Sequence, residues 1–328
     1  MILGSCTSVK KKQSENLEMQ AFETFFRTRV DSVSIAPRRV RMQALQQMRE
    51  AGDSLVRYNY MALALKTCLV TSDIDSAWLM IRQIDEFIRK QPFSSQLADL
   101  QSECLNMKGN ISAKSGYMDS AEIYFKKAYE YRMQGIKVEV IPDILMNLAD
   151  ASNRLGKLDV GAAWYRRALL LCDSLQIASD KRFPIYYGLA QIYVALRDFE
   201  QCDYYYNLAA QGYVDMLPFE KHIYLNNRGT SYYYREDYAT AIDYFRKVVR
   251  LVQDYPDMVF EQNLSWLNLG DCFLQLNEAD SAAEYINKCL PFFEKMKIST
   301  VDYYIDTQKI ELALLQKDFQ EARRLLSE

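Results

Sequence analysis

The sequence predicts an all-α solenoid of antiparallel helix pairs, on three observations. A small residue is followed twelve positions later by a second small residue and sixteen positions later by a bulky apolar one, and this recurs seven times. The triplets are Leu65/Ala77/Ile81, Gly109/Ala121/Phe125, Ala149/Gly161/Tyr165, Ala190/Cys202/Tyr206, Gly229/Ala241/Phe245, Gly270/Ala282/Ile286 and Ile310/Ala322/Leu326; only Leu65 and Ile310 depart from a small first member. The first members recur at intervals of 39 to 44 residues, the self-similarity of an array whose units bury their apolar faces by stacking on neighbours. Composition agrees: 11 Gly and 7 Pro in 328 residues are too few for a turn-rich all-β protein, and a hydrophobic fraction of 49% suffices for a continuous core. A small pair twelve apart lets two antiparallel helices cross closely, and the bulky third residue fills the gap beside the crossing.

In chain order, residues 1–14 read as a short stub and a polar tether. Leu3-Gly4-Ser5-Cys6 resembles a bacterial lipobox, whose cysteine carries lipid and becomes the mature N-terminus, and Lys10, Lys11 and Lys12 lie in the tether. Only Ile2 and Leu3 precede Gly4, fewer than the roughly 7 to 15 apolar residues of a signal peptide; the expectation is lipidation at Cys6 in a chain whose signal is clipped. Residues 15–57 are expected to form atypical capping helices. One carries Phe22, Phe25 and Phe26; another, after Pro37, carries Val40, Met42, Leu45 and Met48. Neither has the spaced small residues of the repeats, as suits the end of a stack. Residues 58–328 then hold seven repeats, the last truncated after Ala322, as in a domain of a longer protein. Gly135, Pro142, Pro184, Pro218 and Pro256 mark the handovers from one unit to the next, where helices must stop.

Several function classes fall away on composition. A formal charge of −3 and a pI near 5.5 supply no global attraction for nucleic acid. No run of about 18 uncharged apolar residues is present to span a membrane, so membrane contact is expected only through a lipid on Cys6. Cys68, Cys104, Cys172, Cys202, Cys272 and Cys289 sit at helical repeat positions and are expected to be buried free thiols. With no C-x-x-C pair and a single histidine, His222, no metal site is expected. His222 opens the first helix of its unit and reads as a helix-terminal polar residue. No glycine-rich phosphate loop occurs. The expectation is a non-catalytic protein without cofactor. The basic doublets Lys126-Lys127, Arg166-Arg167 and Arg323-Arg324 read as solvated faces of second helices.

Quoted in full, the units resemble tetratricopeptide repeats. Asn147-Leu148-Ala149, Leu155-Gly156-Lys157-Leu158 and Ala163-Trp164-Tyr165-Arg166-Arg167-Ala168-Leu169 follow the family's pattern. So do Leu225-Asn226-Asn227-Arg228-Gly229 with Tyr232, Tyr238, Ala241 and Phe245, and Trp266, Leu269, Gly270, Phe273 and Ala282. The period exceeds the roughly 34 residues of the standard unit, as in extended versions of the repeat. The resemblance covers about residues 58 to 328. It implies a right-handed superhelix whose first helices line a concave face.

On that pattern the inward-facing positions are Asn147, Asp150, Asn153 and Arg154 in one unit and Tyr187, Gln191 and Val194 in the next. Asn227, Thr230, Tyr233 and Tyr234 follow, then Asn268, Asp271, Leu274 and Gln275. Asparagine recurs two before the anchor at 147, 227 and 268, with Gly188 breaking the series and Gln308 ending it. An amide donates and accepts together, so such a ladder suits the backbone of an extended peptide, with the tyrosines adding apolar contact; the alternative is that these amides bridge adjacent first helices. The partner expected in the concave groove is a protein or peptide, with no direct nucleic-acid binding. The resemblance implies an extracytoplasmic sensor or scaffold on the periplasmic side of the envelope, as a lipoprotein or part of a longer signalling or transcription-regulatory protein. Alternatives are a cytoplasmic peptide-receptor regulator and a glycan-binding uptake lipoprotein.

Overall fold

The computed structural model describes residues 17–30, 32–177, 182–214, 216–296 and 299–327. The lipobox-like segment with Cys6 lies outside the described residues. The described residues are helical throughout, without a strand, and the chain divides into two compact units, residues 1–177 and 178–328.

The first unit holds α1 (17–29), α2 (Ser32–Ile35) and α3 (Pro37–Glu50), then three helix pairs: α4 (Ser54–Val70) with α5 (Ile74–Arg89), α6 (Ser95–Lys114) with α7 (Met118–Arg132), and α8 (Ile141–Arg154) with α9 (Leu158–Ser174). The second holds four pairs: α10 (Phe183–Ala195) with α11 (Phe199–Ala210), α12 (Pro218–Tyr233) with α13 (Tyr238–Val252), α14 (Val259–Gln275) with α15 (Ala279–Met296), and α16 (Ser299–Leu315) with α17 (Phe319–Ser327).

One turn is reused in all seven pairs. Two residues past the end of the first helix (three in the α12 pair), one residue takes positive φ: Ser72, Gly116, Gly156, Arg197, Glu236, Asn277 and Lys317. The next amide donates back five residues, as Asp73 N to Cys68 O at 2.9 Å and Asp237 N to Tyr232 O at 3.0 Å. This closes the helix end and satisfies its last carbonyls. Glycine, the residue that adopts this conformation without strain, stands at two of the seven. Four of the turns then cap the second helix with aspartate: Asp73, Asp198, Asp237 and Asp318 accept from the amide three residues on.

Packing follows the triplets. Ala121, Ala241 and Ala282 are fully buried, and Phe125, Tyr165, Tyr206, Phe245 and Ile286 close the gaps beside the crossings. A Cβ built on Gly109 would meet the Phe125 ring at 2.4 Å, on Gly229 the Phe245 ring at 2.8 Å, and on Gly270 Ile286 Cγ1 at 2.8 Å. Leu326 departs from the pattern, being 70% exposed, since no described helix packs over α17 on that side. All six cysteines within the described residues are buried free thiols.

The first unit also carries a buried ionic clamp. Asp99 accepts from Arg132 Nη1 at 2.9 Å and from the amides of Ile136 and Lys137 at 3.0 and 3.4 Å. Arg132 Nε donates to Ser102 Oγ at 3.2 Å. The carboxylate thereby anchors the junction between α7 and α8 to the start of α6. At the front of the unit, Phe22 and Phe25 of α1 pack edge-on against Tyr60 of α4, centroids 4.9 and 5.4 Å apart.

Candidate functional site

Two of the expected inward-facing residues of the first unit hydrogen-bond within the stack. Asn147 of α8 donates from Nδ2 to Asn106 Oδ1 of α6 at 3.0 Å, tying adjacent first helices together. Asp150 accepts from the Tyr165 hydroxyl of α9. Asn153 is half-buried and Arg154 exposed.

In the second unit the picture divides. Tyr187 stacks along its own helix on Phe183, centroids 6.1 Å apart, and Gln191 and Val194 are half-buried nearby. Asn227 accepts from Asn226 Nδ2 at 3.5 Å. Leu274, expected to face inward, is buried in the core around Phe273 and Ile286, and Gln308 is buried as well. Five expected residues do come together. Thr230, Tyr233 and Tyr234 at the end of α12 and Asn268 and Asp271 of α14 line one cleft of about 180 Å³, with Phe245 and Tyr304 completing the wall. Gln275 stands exposed at its edge and hydrogen-bonds Asp271.

Asp271 is the centre of this cleft. It is buried, with 7% of its surface exposed, and accepts hydrogen bonds from the hydroxyls of Tyr304 on α16 and Tyr233 on α12. Burial pushes its carboxyl above the usual range, while the hydrogen bonds from Tyr304, Tyr233 and Gln275 pull the other way. No basic side chain among the described residues pairs with it. Burial likewise pushes the Tyr233 and Tyr304 hydroxyls up, helped by the charge of Asp271. Glu311 on α16 is raised too, first by burial and then by Asp271.

Two lining residues were not legible among the concave positions. Tyr304 lies six residues before its anchor Ile310, outside the expected set, and reaches Asp271 because α16 packs on α14. Phe245 reads as a packing residue and is one, yet its ring also walls the cleft. The pair Tyr303-Tyr304 at the start of α16 was the available signal.

His222, expected as a polar helix end, is instead buried beside Phe219, with neither ring nitrogen hydrogen-bonded. Burial depresses its pKa, which favours the neutral ring there.

The described residues thus define a helical-repeat protein with one tyrosine- and carboxylate-lined cleft. Models of the tetratricopeptide repeat match residues 102–132 and 226–294, and the helix pairs of the described residues agree with them. The search of curated proteins found no match to the chain. Among solved structures, a Rap protein complexed with competence and sporulation factor is similar at TM-score 0.69 and 12% identity, over 96% of this chain and 86% of that one. NprR in complex with its cognate peptide NprX is similar at TM-score 0.67 and 13% identity, over 96% and 87%. Aspartyl phosphate phosphatase F from Bacillus subtilis is similar at TM-score 0.61 and 14% identity, over 96% and 82%. At these identities the likeness is one of fold.

Proposed function

We propose that the chain is a non-catalytic, protein- or peptide-binding repeat module whose second unit takes up its ligand at the Asp271 cleft. The observation that carries this reading is convergence: three successive first helices, α12, α14 and α16, each deliver polar or aromatic side chains to one cavity. Pure packing does not call for a buried carboxylate that no basic side chain among the described residues pairs with. The similar structures of a Rap protein complexed with competence and sporulation factor and of NprR with its cognate peptide support the same reading. No catalytic role is assigned to any residue.

The test is direct. Immobilised full-length chain is exposed to a random peptide library, and retained sequences are titrated against the unaltered chain and Tyr304→Ala. Binders weakened about tenfold, the order expected for a buried aromatic contact of more than 1 kcal/mol, support the reading. No retained peptide, or binders indifferent to Tyr304→Ala and to Tyr233→Ala, would end it.

Placement of the module belongs to the same proposal. Leu3-Gly4-Ser5-Cys6 supports a lipid-anchored position on the periplasmic side of the envelope, as sensor or scaffold. Palmitate incorporation that disappears in Cys6→Ala is the expected result; incorporation unaffected by it contradicts the anchor. A cytoplasmic peptide-receptor regulator is the second reading, favoured by the similar fold of the quorum sensor NprR.

A further inference from the structure

Resting on the peptide-binding reading above, we propose that the cleft between Tyr233, Tyr234 and Tyr304 receives a cationic, N–H-rich group of the ligand peptide, with Asp271 as its ion-pair partner.

The inventory of hydrogen-bonding groups leads there. Thr230 donates its hydroxyl proton to the Asn226 carbonyl at 3.0 Å, Asn268 donates from Nδ2 to Asn226 Oδ1 at 3.0 Å, and Tyr233 and Tyr304 both point their hydroxyl protons at Asp271. Gln275 also donates to Asp271, and Gln308 to the Tyr304 oxygen; what stays open is mostly acceptor: the remaining lone pairs of the Asp271 carboxylate, Asn268 Oδ1, and the oxygens of Thr230 and Tyr233. Against these stand one further N–H of Asn268 and the hydroxyl of Tyr234. Beside Gly270, Gln308 donates from Nε2 to the Leu267 carbonyl at 3.2 Å, and its buried Oε1 has no partner. A lining of this kind fits poorly to another carboxylate or to a peptide carbonyl. It suits a guanidinium or ammonium, which brings several donors and no acceptor.

Charge and shape agree. No basic side chain among the described residues pairs with Asp271, and the acidic Glu311 adds negative potential beside it. The walls are tyrosine rings, with Tyr233 and Tyr234 edge-to-face at 5.8 Å, and ring faces attract cations. A volume of about 180 Å³ holds one side chain or chain end, being smaller than the roughly 300 to 1,000 Å³ of a drug-sized pocket.

The test uses the full chain and an N-acetylated random pentapeptide library made in four sets, with Arg, Lys, citrulline or Ala fixed at the centre. A fifth set has central Ala and a free amino terminus. Citrulline keeps the shape of arginine without its charge. A charge-assisted hydrogen bond to a buried carboxylate predicts about tenfold higher retention of the cationic sets over the citrulline and Ala sets. Enrichment of the Arg or Lys sets assigns a basic side chain, and enrichment of the fifth set alone assigns the amino terminus. Asp271→Asn is expected to erase the difference between the cationic and the neutral sets. Tyr234→Lys, at an exposed position on the rim, does the same by repulsion without touching the Asp271 hydrogen bonds, so a folding defect in the first variant does not decide the matter. Equal retention of charged and neutral sets by the unaltered chain overturns this inference and leaves peptide binding standing. No retention of any set overturns both.

Discussion

Alanine at Gly109 puts the triplet rule to a quantitative test, because two opposing effects act on one atom. In an ordinary helix interior, Gly→Ala stabilises by about 0.5–1 kcal/mol through lost chain entropy in the unfolded state. Here the added Cβ would lie 2.4, 2.5 and 2.9 Å from Cε1, Cδ1 and Cζ of Phe125. Carbon pairs are comfortable at about 3.5–4.0 Å, so the ring must retreat by about 1 Å. It has little room, being buried against Ala121, Leu148 and Ala151. Overpacking of this kind costs about 1–3 kcal/mol, which leaves a net loss of up to about 2.5 kcal/mol after the entropic gain.

The series has an order. Gly229→Ala meets Phe245 at 2.8, 3.0 and 3.1 Å, and Gly270→Ala meets a single close atom, Ile286 Cγ1, at 2.8 Å. The destabilisation should fall from 109 to 229 to 270. Urea unfolding of the full chain measures it, with hydrogen exchange in α6 and α7 as the local readout, because repeat arrays do not always unfold in one step. Phe125→Leu makes space, so Gly109→Ala/Phe125→Leu should be more stable than the sum of the single changes by about 1 kcal/mol. A stabilised Gly109→Ala, or strict additivity of the pair, refutes the crossing geometry.

Gly135→Ala is expected to be worse still: its Cβ would fall 2.0 Å from Asp99 Oδ1 and displace the carboxylate from Arg132. Breaking a buried pair costs about 3–5 kcal/mol, and an unchanged thermal midpoint would contradict the clamp. In the second unit, burial raises the Asp203 carboxyl, but hydrogen bonds from Arg235 and Arg228 outweigh it and hold the pKa below the usual value. A depressed folded pKa contributes stability that is complete above the unfolded value, about 3.9, and is lost as pH falls below it. Stability of the unaltered chain should therefore fall more steeply below about pH 4 than that of Asp203→Asn, which starts lower at neutral pH; an identical acid profile would show that the pair contributes nothing.

The architecture was legible because its cause is periodic. Two helices that cross closely require small residues at fixed separations, and Gly109, Ala121, Gly229 and Ala241 carry that requirement in plain view. The turns were less visible, since Ser72, Arg197, Glu236, Asn277 and Lys317 occupy a backbone region usually marked by glycine. There the closing hydrogen bond and the next helix impose the conformation on residues that do not prefer it. The exposure of Leu326 and the burial of Leu274 and His222 depend on which neighbours cover them, a property of the stack rather than of any local pattern.

For the site, position alone was insufficient, because what a side chain offers a ligand depends on what it already holds. Asn147 and Asn268 sit where the repeat pattern expects them, and both give an amide proton to the preceding first helix, at Asn106 and Asn226. Each so engaged keeps one N–H and its Oδ1, so Asn147 and Asn268 strap adjacent first helices while retaining one donor and one acceptor. The same engagement turns the cleft into a field of acceptors around Asp271. Tyr304 strengthens that bias from outside the expected positions, by pointing its only proton at the carboxylate. The proposed occupant is accordingly a cation, set against a carboxylate that no basic side chain among the described residues pairs with.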